Sequence, residues 1–287
     1  MPHLDFPRWD RLNSDMNLSL TTGVLACLAY AAAMWPVFRA LKTQTQPDRP
    51  MLLAFGSIGL LMHTLFLHDA IFSPEGIDFG VGTMLSILGW VEAILLNVLV
   101  LYRPIASLAL GAYPLVIFGV LMTWIGPHEY VPYHHYGVGM ISHILISVIA
   151  YCVIMLAVAQ AFLLFCMDYL LKHKHPGAAL VKLLPPLQTM ETVMFEMVAI
   201  GLGLLTASIL SGALYVENLL AQHLVHKTVF TILAWIIFAT LLAGRHFYGW
   251  RGRIAIRWTL AGSFMLLLGF LGTQIILQLI LHRPAVG

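Results

Sequence analysis

Eight stretches of this chain are too long and too apolar to be covered by the surface of a soluble protein. A membrane-spanning helix needs about 20 mostly apolar residues. Runs of that kind fall at about 18–41, 51–67, 79–102, 105–124, 137–171, 191–215, 228–248 and 254–281. They are continuous rather than alternating with a period of two, so the strands of an outer-membrane barrel are excluded. Composition agrees: 60% of the residues are hydrophobic, 10% are charged and the mean hydropathy is +0.88. An ordinary soluble domain carries about 25% charged residues. A soluble enzyme, a nucleic-acid-binding domain and a disordered tail are therefore excluded. The net charge of +2 argues for no polyanionic partner such as nucleic acid. The expected fold is an all-α polytopic membrane protein in membrane lipid, one domain of eight transmembrane helices over residues 1–287. Only Arg103 and Pro104 separate the third and fourth spans, which predicts a tight helical hairpin.

Lys and Arg set the expected orientation, because cytoplasmic loops carry the excess. Of the 15, eleven fall on one set of loops: Arg39, Lys42 and Arg49, then Arg103, then Lys172, Lys174 and Lys182, then Arg245, Arg251, Arg253 and Arg257. Arg8, Arg11, Lys227 and Arg283 fall on the other. Both termini are then expected outside, in the periplasm of a bacterium. The residues before Leu18 carry acids and no cleavage pattern, so the first span is expected to be retained.

The 13 histidines show the reverse bias. Nine, among them His128, His143, His226 and His282, fall at the outer side by this topology. His173, His175 and His246 fall at the cytoplasmic side, and His63 lies inside the second span. A neutral imidazole can ligate a metal without burying net charge. His143 opens the fifth span in Ile-Ser-His-Ile-Leu-Ile-Ser, and His282 closes the eighth in Leu-Ile-Leu-His-Arg-Pro. Each sits on a helix end at the outer interface, which holds a ligand better than a loop would. Two such imidazoles facing each other could hold the iron of a haem. Cys27, Cys152 and Cys166 form no C-x-x-C-H, so the haem would be haem b, held without thioether bonds. His63, His226 and His246 are further candidates for haem.

Polar residues inside spans are functional candidates by default. Glu92 lies midway along the third span and Glu196 early in the sixth; Glu191, at the sixth span's start, reads as a carboxylate facing the positive end of its own helix. Such carboxylates would serve a transport or regulatory accessory protein working without haem. The outer connection over 124–136 is dense in His and aromatic residues and could form a lid. No nucleophile–base spacing, HExxH or P-loop is present, which favours a binding protein over an enzyme.

The segment Leu-Pro-Pro-Leu-Gln-Thr-Met-Glu (184–191) leads into Ile-Gly-Leu-Gly-Leu-Leu-Thr-Ala-Ser-Ile-Leu-Ser-Gly (200–212). Further on come His-Lys-Thr-Val-Phe-Thr-Ile-Leu-Ala-Trp (226–235) and Gly-Arg-His-Phe-Tyr-Gly-Trp-Arg-Gly-Arg (244–253). These segments resemble the cytochrome c assembly (CcsA/HemX-like) superfamily, and within it the YpjD branch of inner-membrane proteins. The resemblance implies haem handling at the outer face, with His143 and His282 at the positions of the family's two outer histidines. It departs at 222–230, where the Trp-rich haem-presenting segment is missing and only Lys227 lines up with that segment's Lys. The family's histidine within the seventh span lines up near Ala243, with His246 three residues later. A haem ligase is therefore disfavoured, and a haem-binding membrane protein is the leading expectation.

Overall fold

The computed structural model describes residues 8–73, 76–78, 80–103, 105–131, 137–173, 181, 184–215 and 225–272, with side chains from residue 19 except at 131, 271 and 272. Among these lie eight long helices: α1 (Arg8–Thr43), α2 (Arg49–Ile71), α3 (Val81–Tyr102), α4 (Ala109–Ile125), α5 (Val138–Lys172), α6 (Leu187–Tyr215), α7 (Val225–Tyr248) and α8 (Arg253–Leu267). A 3₁₀ turn, Ala106–Leu108, leads into α4, and a π-helical turn, Leu268–Gly272, follows α8. With these additions all eight are long and apolar enough to cross a membrane. Leu28, Leu61 and Leu210 are each about 60% exposed, an outer surface suited to lipid rather than water.

Local chemistry sets the ends. The Asp48 carboxylate accepts from the Met51 N–H at 3.0 Å and caps α2, with Pro50 in its first turn. Pro185 and Pro186 precede α6, which starts one turn earlier than the apolar run alone predicts. Gly249 and Gly252 have φ of +64° and +57°, which lets the chain reverse between α7 and α8 in four residues. Glu191 accepts from the Gly252 N–H at 2.7 Å. It therefore caps α8 rather than its own helix, the end predicted from sequence.

Sequential helices pair: α1 with α2, α3 with α4, α5 with α6, α7 with α8. The first two pairs make a front half and the last two a back half, joined where α3 and α4 meet α5. The α3–α4 hairpin is as tight as its two-residue connection predicts. A Cβ on Gly82 would sit 2.1 Å from the Met122 carbonyl oxygen, and one on Gly119 would sit 2.6 Å from that of Leu85. Small residues at such a contact let backbones approach and gain dispersion where lipid supplies no hydrophobic drive.

The front core is polar at its centre yet closed. His63 is fully buried; its Nδ1 meets the Tyr30 hydroxyl at 3.2 Å and its Nε2 the Ser86 hydroxyl at 2.9 Å. Tyr30 stacks on Tyr113, whose hydroxyl accepts from Asn97 at 3.3 Å.

One end of this half carries a small antiparallel sheet that the hydropathy pattern did not predict: β1 (Phe72–Ser73), β2 (Gly76–Asp78) and β3 (Tyr130–Val131), in that order. It ties the α2–α3 connection to the α4–α5 connection, with Ile77 opposite both Phe72 and Val131. Asp78 anchors it. The buried Asp78 carboxylate accepts from the Thr83 hydroxyl (2.6 Å), the His128 ring (2.7 Å), and the backbone N–H groups of Glu129 (2.8 Å) and Gly80 (2.9 Å). Burial alone would raise its pKa; these four donors outweigh burial and hold it below the ordinary carboxyl value.

Candidate functional site

His143 stands in the second turn of α5, facing α6, and Gly212 makes the room for it. A Cβ at that glycine would lie 3.0 Å from the imidazole Cε1. The ring's Nδ1 meets the Ser211 hydroxyl at 3.0 Å, and that hydroxyl donates to the Ser208 carbonyl at 3.0 Å. The one Ser211 proton cannot serve both the carbonyl and the ring; with it on the Ser208 carbonyl, His143 donates from Nδ1 and its Nε2 lone pair is the metal-ligating position. A hydrogen bond to the far nitrogen is the usual support of a ligating histidine.

Below the ring the same polar edge continues. Ser147 donates to the His143 carbonyl at 2.7 Å and lies 2.6 Å from the Ser208 hydroxyl. Ser208, Ser211 and Gly212 follow one another on α6, a spacing visible in the 200–212 segment. Tyr151, two turns below His143, donates to the Leu266 carbonyl and lies with its ring centroid 5.1 Å from that of Phe270. That contact falls where α8 passes into its π-helical turn, a departure from α geometry that is frequent at functional sites.

His143, Ser147, Tyr151, Ser208 and Gly212 line a cavity of about 250 Å³ among α5, α6, α7 and α8. Its remaining walls are apolar, with Leu205, Ile232, Leu266 and Phe270 prominent, and Lys227 and Thr231 come from the first turns of α7. Ligand sites commonly measure roughly 300–1,000 Å³, so this space has room for part of such a ligand. One available ring nitrogen, one cation and apolar walls fit an apolar macrocycle that carries acid groups and a metal.

The other predicted residues are distributed differently. His282 lies outside the described residues. His63 has both ring nitrogens engaged in the front core. His226 is exposed; its neighbour Lys227 is the one that lines the cavity. His246 is exposed against Phe247 at the far end of α7, about 30 Å along the helix from His226 at 1.5 Å per residue. Glu92 is buried, 5% exposed, with Oε1 lacking a hydrogen-bond partner. Glu196 is half-exposed and forms an ion pair with Arg103 at 3.2 Å, so the two carboxylates hold separate environments. Ser208 and Ser211 were not singled out from sequence; the Ser-x-x-Ser-Gly spacing was the available signal.

A family model described as cytochrome c assembly protein matches residues 18–281. The chain is 30% identical over 263 residues to the inner membrane protein YpjD of Escherichia coli K12, covering 90% of this chain and 98% of that protein. It is 27% identical over 147 residues to an uncharacterized 28.8 kDa protein of Azospirillum brasilense, half of this chain and 54% of that one. No solved structure matches it.

Proposed function

The chain belongs to the cytochrome c assembly family, and we propose that it is a multi-pass protein of the bacterial inner membrane that binds haem b non-covalently. Membership of this family supports a haem-related role, and the name of the YpjD relative supports the membrane. His143 and His282 would hold the haem iron, at a site facing the periplasm, the side on which the Lys and Arg distribution leads us to expect both termini. The observation that carries this reading is the His143 ring, hydrogen-bonded through Nδ1 to Ser211 at the wall of an apolar cavity. When bound, haem supplies an iron centre; the chain's own residues orient the imidazole, enclose part of the ring and exclude water from it. The role is binding or handling rather than catalysis.

The test is a titration of the detergent-purified full chain with iron protoporphyrin IX, followed by visible spectra of the oxidised and reduced forms. His143→Ala should lower affinity at least tenfold, about 1.4 kcal/mol, or convert the spectrum from six-coordinate to five-coordinate. A preparation that stays colourless after haem is added overturns the reading, as does a His143→Ala spectrum identical to wild type.

A further inference from the structure

We infer that a second cavity, between α5 and α8 at the end of the bundle away from His143, binds an anionic phospholipid whose phosphate sits between Arg253 and Arg257. This site is separate from the His143 cavity. On α5, Phe165 follows His143 by 22 residues, about 33 Å along the helix at 1.5 Å per residue.

Phe165, Arg253, Ile256 and Arg257 line this cavity, which measures about 310 Å³. Contacts link three cations to one carboxylate at this corner. Lys172 donates to the Asp168 carboxylate at 2.8 Å, and the Arg253 Nε lies 3.6 Å from the same oxygen. Asp168 is therefore shared by two cations. Arg257 forms no ion pair among the described residues; its Nε donates to the Arg253 carbonyl at 3.4 Å. Arg253 and Arg257 are both exposed and stand about one turn apart on α8, a spacing at which like charges repel. An anion placed between them relieves that repulsion and supplies the partner that Arg257 lacks.

The surroundings name the class of anion. Arg253 begins the membrane-spanning stretch Arg253–Phe270, so both guanidinium groups lie in its first turns, at the level of lipid headgroups. From there the exposed face of α8 continues with Leu260 and Phe264, and that of α5 continues from Phe165 to Phe162. The two helices run antiparallel, with Asp168 beside Arg253 and Tyr151 bonded to the Leu266 carbonyl. Both apolar stripes therefore lead from the cationic corner towards the middle of the bilayer, the outline of a headgroup with its acyl chains. Guanidinium forks match phosphate oxygens, and basic pockets between spans suit anionic headgroups. A zwitterionic headgroup would bring an ammonium to a corner whose one carboxylate already serves two cations. A soluble phosphate would use the arginines and leave the apolar stripes unused.

The experiment titrates the full chain in detergent with dioleoyl phosphatidylglycerol and, separately, dioleoyl phosphatidylcholine, and counts bound lipid by native mass spectrometry. Wild type should bind the phosphatidylglycerol more tightly, by about fivefold or more for each arginine engaged. Arg257→Gln should weaken phosphatidylglycerol binding about fivefold and leave phosphatidylcholine binding unchanged. The double variant Arg253→Gln, Arg257→Gln should abolish the preference. Both side chains are exposed, so these variants should unfold at the wild-type temperature. Arg39→Gln removes the same charge from an exposed position on α1 and should leave both affinities unchanged. Equal binding of the two lipids by wild type overturns the inference. So does an Arg39→Gln variant that loses as much affinity as Arg257→Gln, which would show diffuse surface charge in place of a site. A preference abolished by excess inorganic phosphate, but not by chloride at the same ionic strength, would assign the corner to a soluble phosphate and overturn the lipid.

Discussion

Each half of the bundle places a histidine among hydroxyl groups, and the two surroundings lead to different uses. In the front half, the hydroxyls of Tyr30 and Ser86 meet both ring nitrogens of His63, and the ring is fully buried. In the back half, Ser211 meets one nitrogen of His143 and the cavity lies along the other face of the site. Residue type is the same; the number of partners supplied by the fold differs. A histidine with both nitrogens engaged is a core residue that specifies packing, because leaving any of its partners unpaired in the interior is costly. A histidine with one nitrogen held is oriented and still has a valence to offer.

The contrast is broken or sharpened most strongly at His63. His63→Ala leaves the Tyr30 and Ser86 hydroxyls unpaired in a closed core and opens a void, which should destabilise the protein by about 3–5 kcal/mol. Thermal unfolding in detergent measures this, and the haem spectrum per folded molecule should be unchanged. Lost haem binding at unchanged stability would erase the distinction between the halves.

A smaller effect is expected at the Asp78 anchor. Asp78→Asn loses charge-assisted acceptors and should cost about 2–3 kcal/mol. The pH dependence follows from the lowered folded pKa. Because the folded carboxyl ionises more readily than the unfolded one, whose ordinary value is 3.8, its stabilisation is complete above about pH 4 and declines as pH falls further towards the folded value. Unfolding measured between pH 5 and 3 should show this acid component in wild type and lack it in Asp78→Asn. An identical acid response in both would show that the anchor contributes nothing.

The smallest effect is expected at Glu92. Its Oε1 has no hydrogen-bond partner to lose, and glutamine keeps the shape, so Glu92→Gln should change stability by less than about 1 kcal/mol. Expression and haem titration should match wild type. A folded variant that loses all activity in the cell would instead point to transport through this carboxylate.

The helices were legible because their signal is local: length and continuous apolarity mark each span, and Arg103-Pro104 leaves room only for a hairpin. The start of α5 placed His143 for the same reason. What joins the pieces was not legible, because it acts between residues far apart in the chain. Asp78 and His128 are 50 residues apart, His63 and Tyr30 are 33 apart, and Arg103 and Glu196 are 93 apart. Spans that are apolar nearly all round give little indication of which face meets which neighbour. Glu196 therefore resembled an intramembrane carboxylate until Arg103 was found beside it. Lys227 lined up with a family lysine, but only the packing of α5 to α8 put it on the same cavity wall as His143.

The order in which the two halves become complete during synthesis follows from where their parts lie in the chain. Every contact that closes around His63, and the close α3–α4 approach at Gly82 and Gly119, is available once residue 125 has been made. The groove needs residues as late as Phe270. A growing chain therefore holds a finished His63 core in the bilayer while half of the protein is still to come, and at that length the cavity does not yet exist.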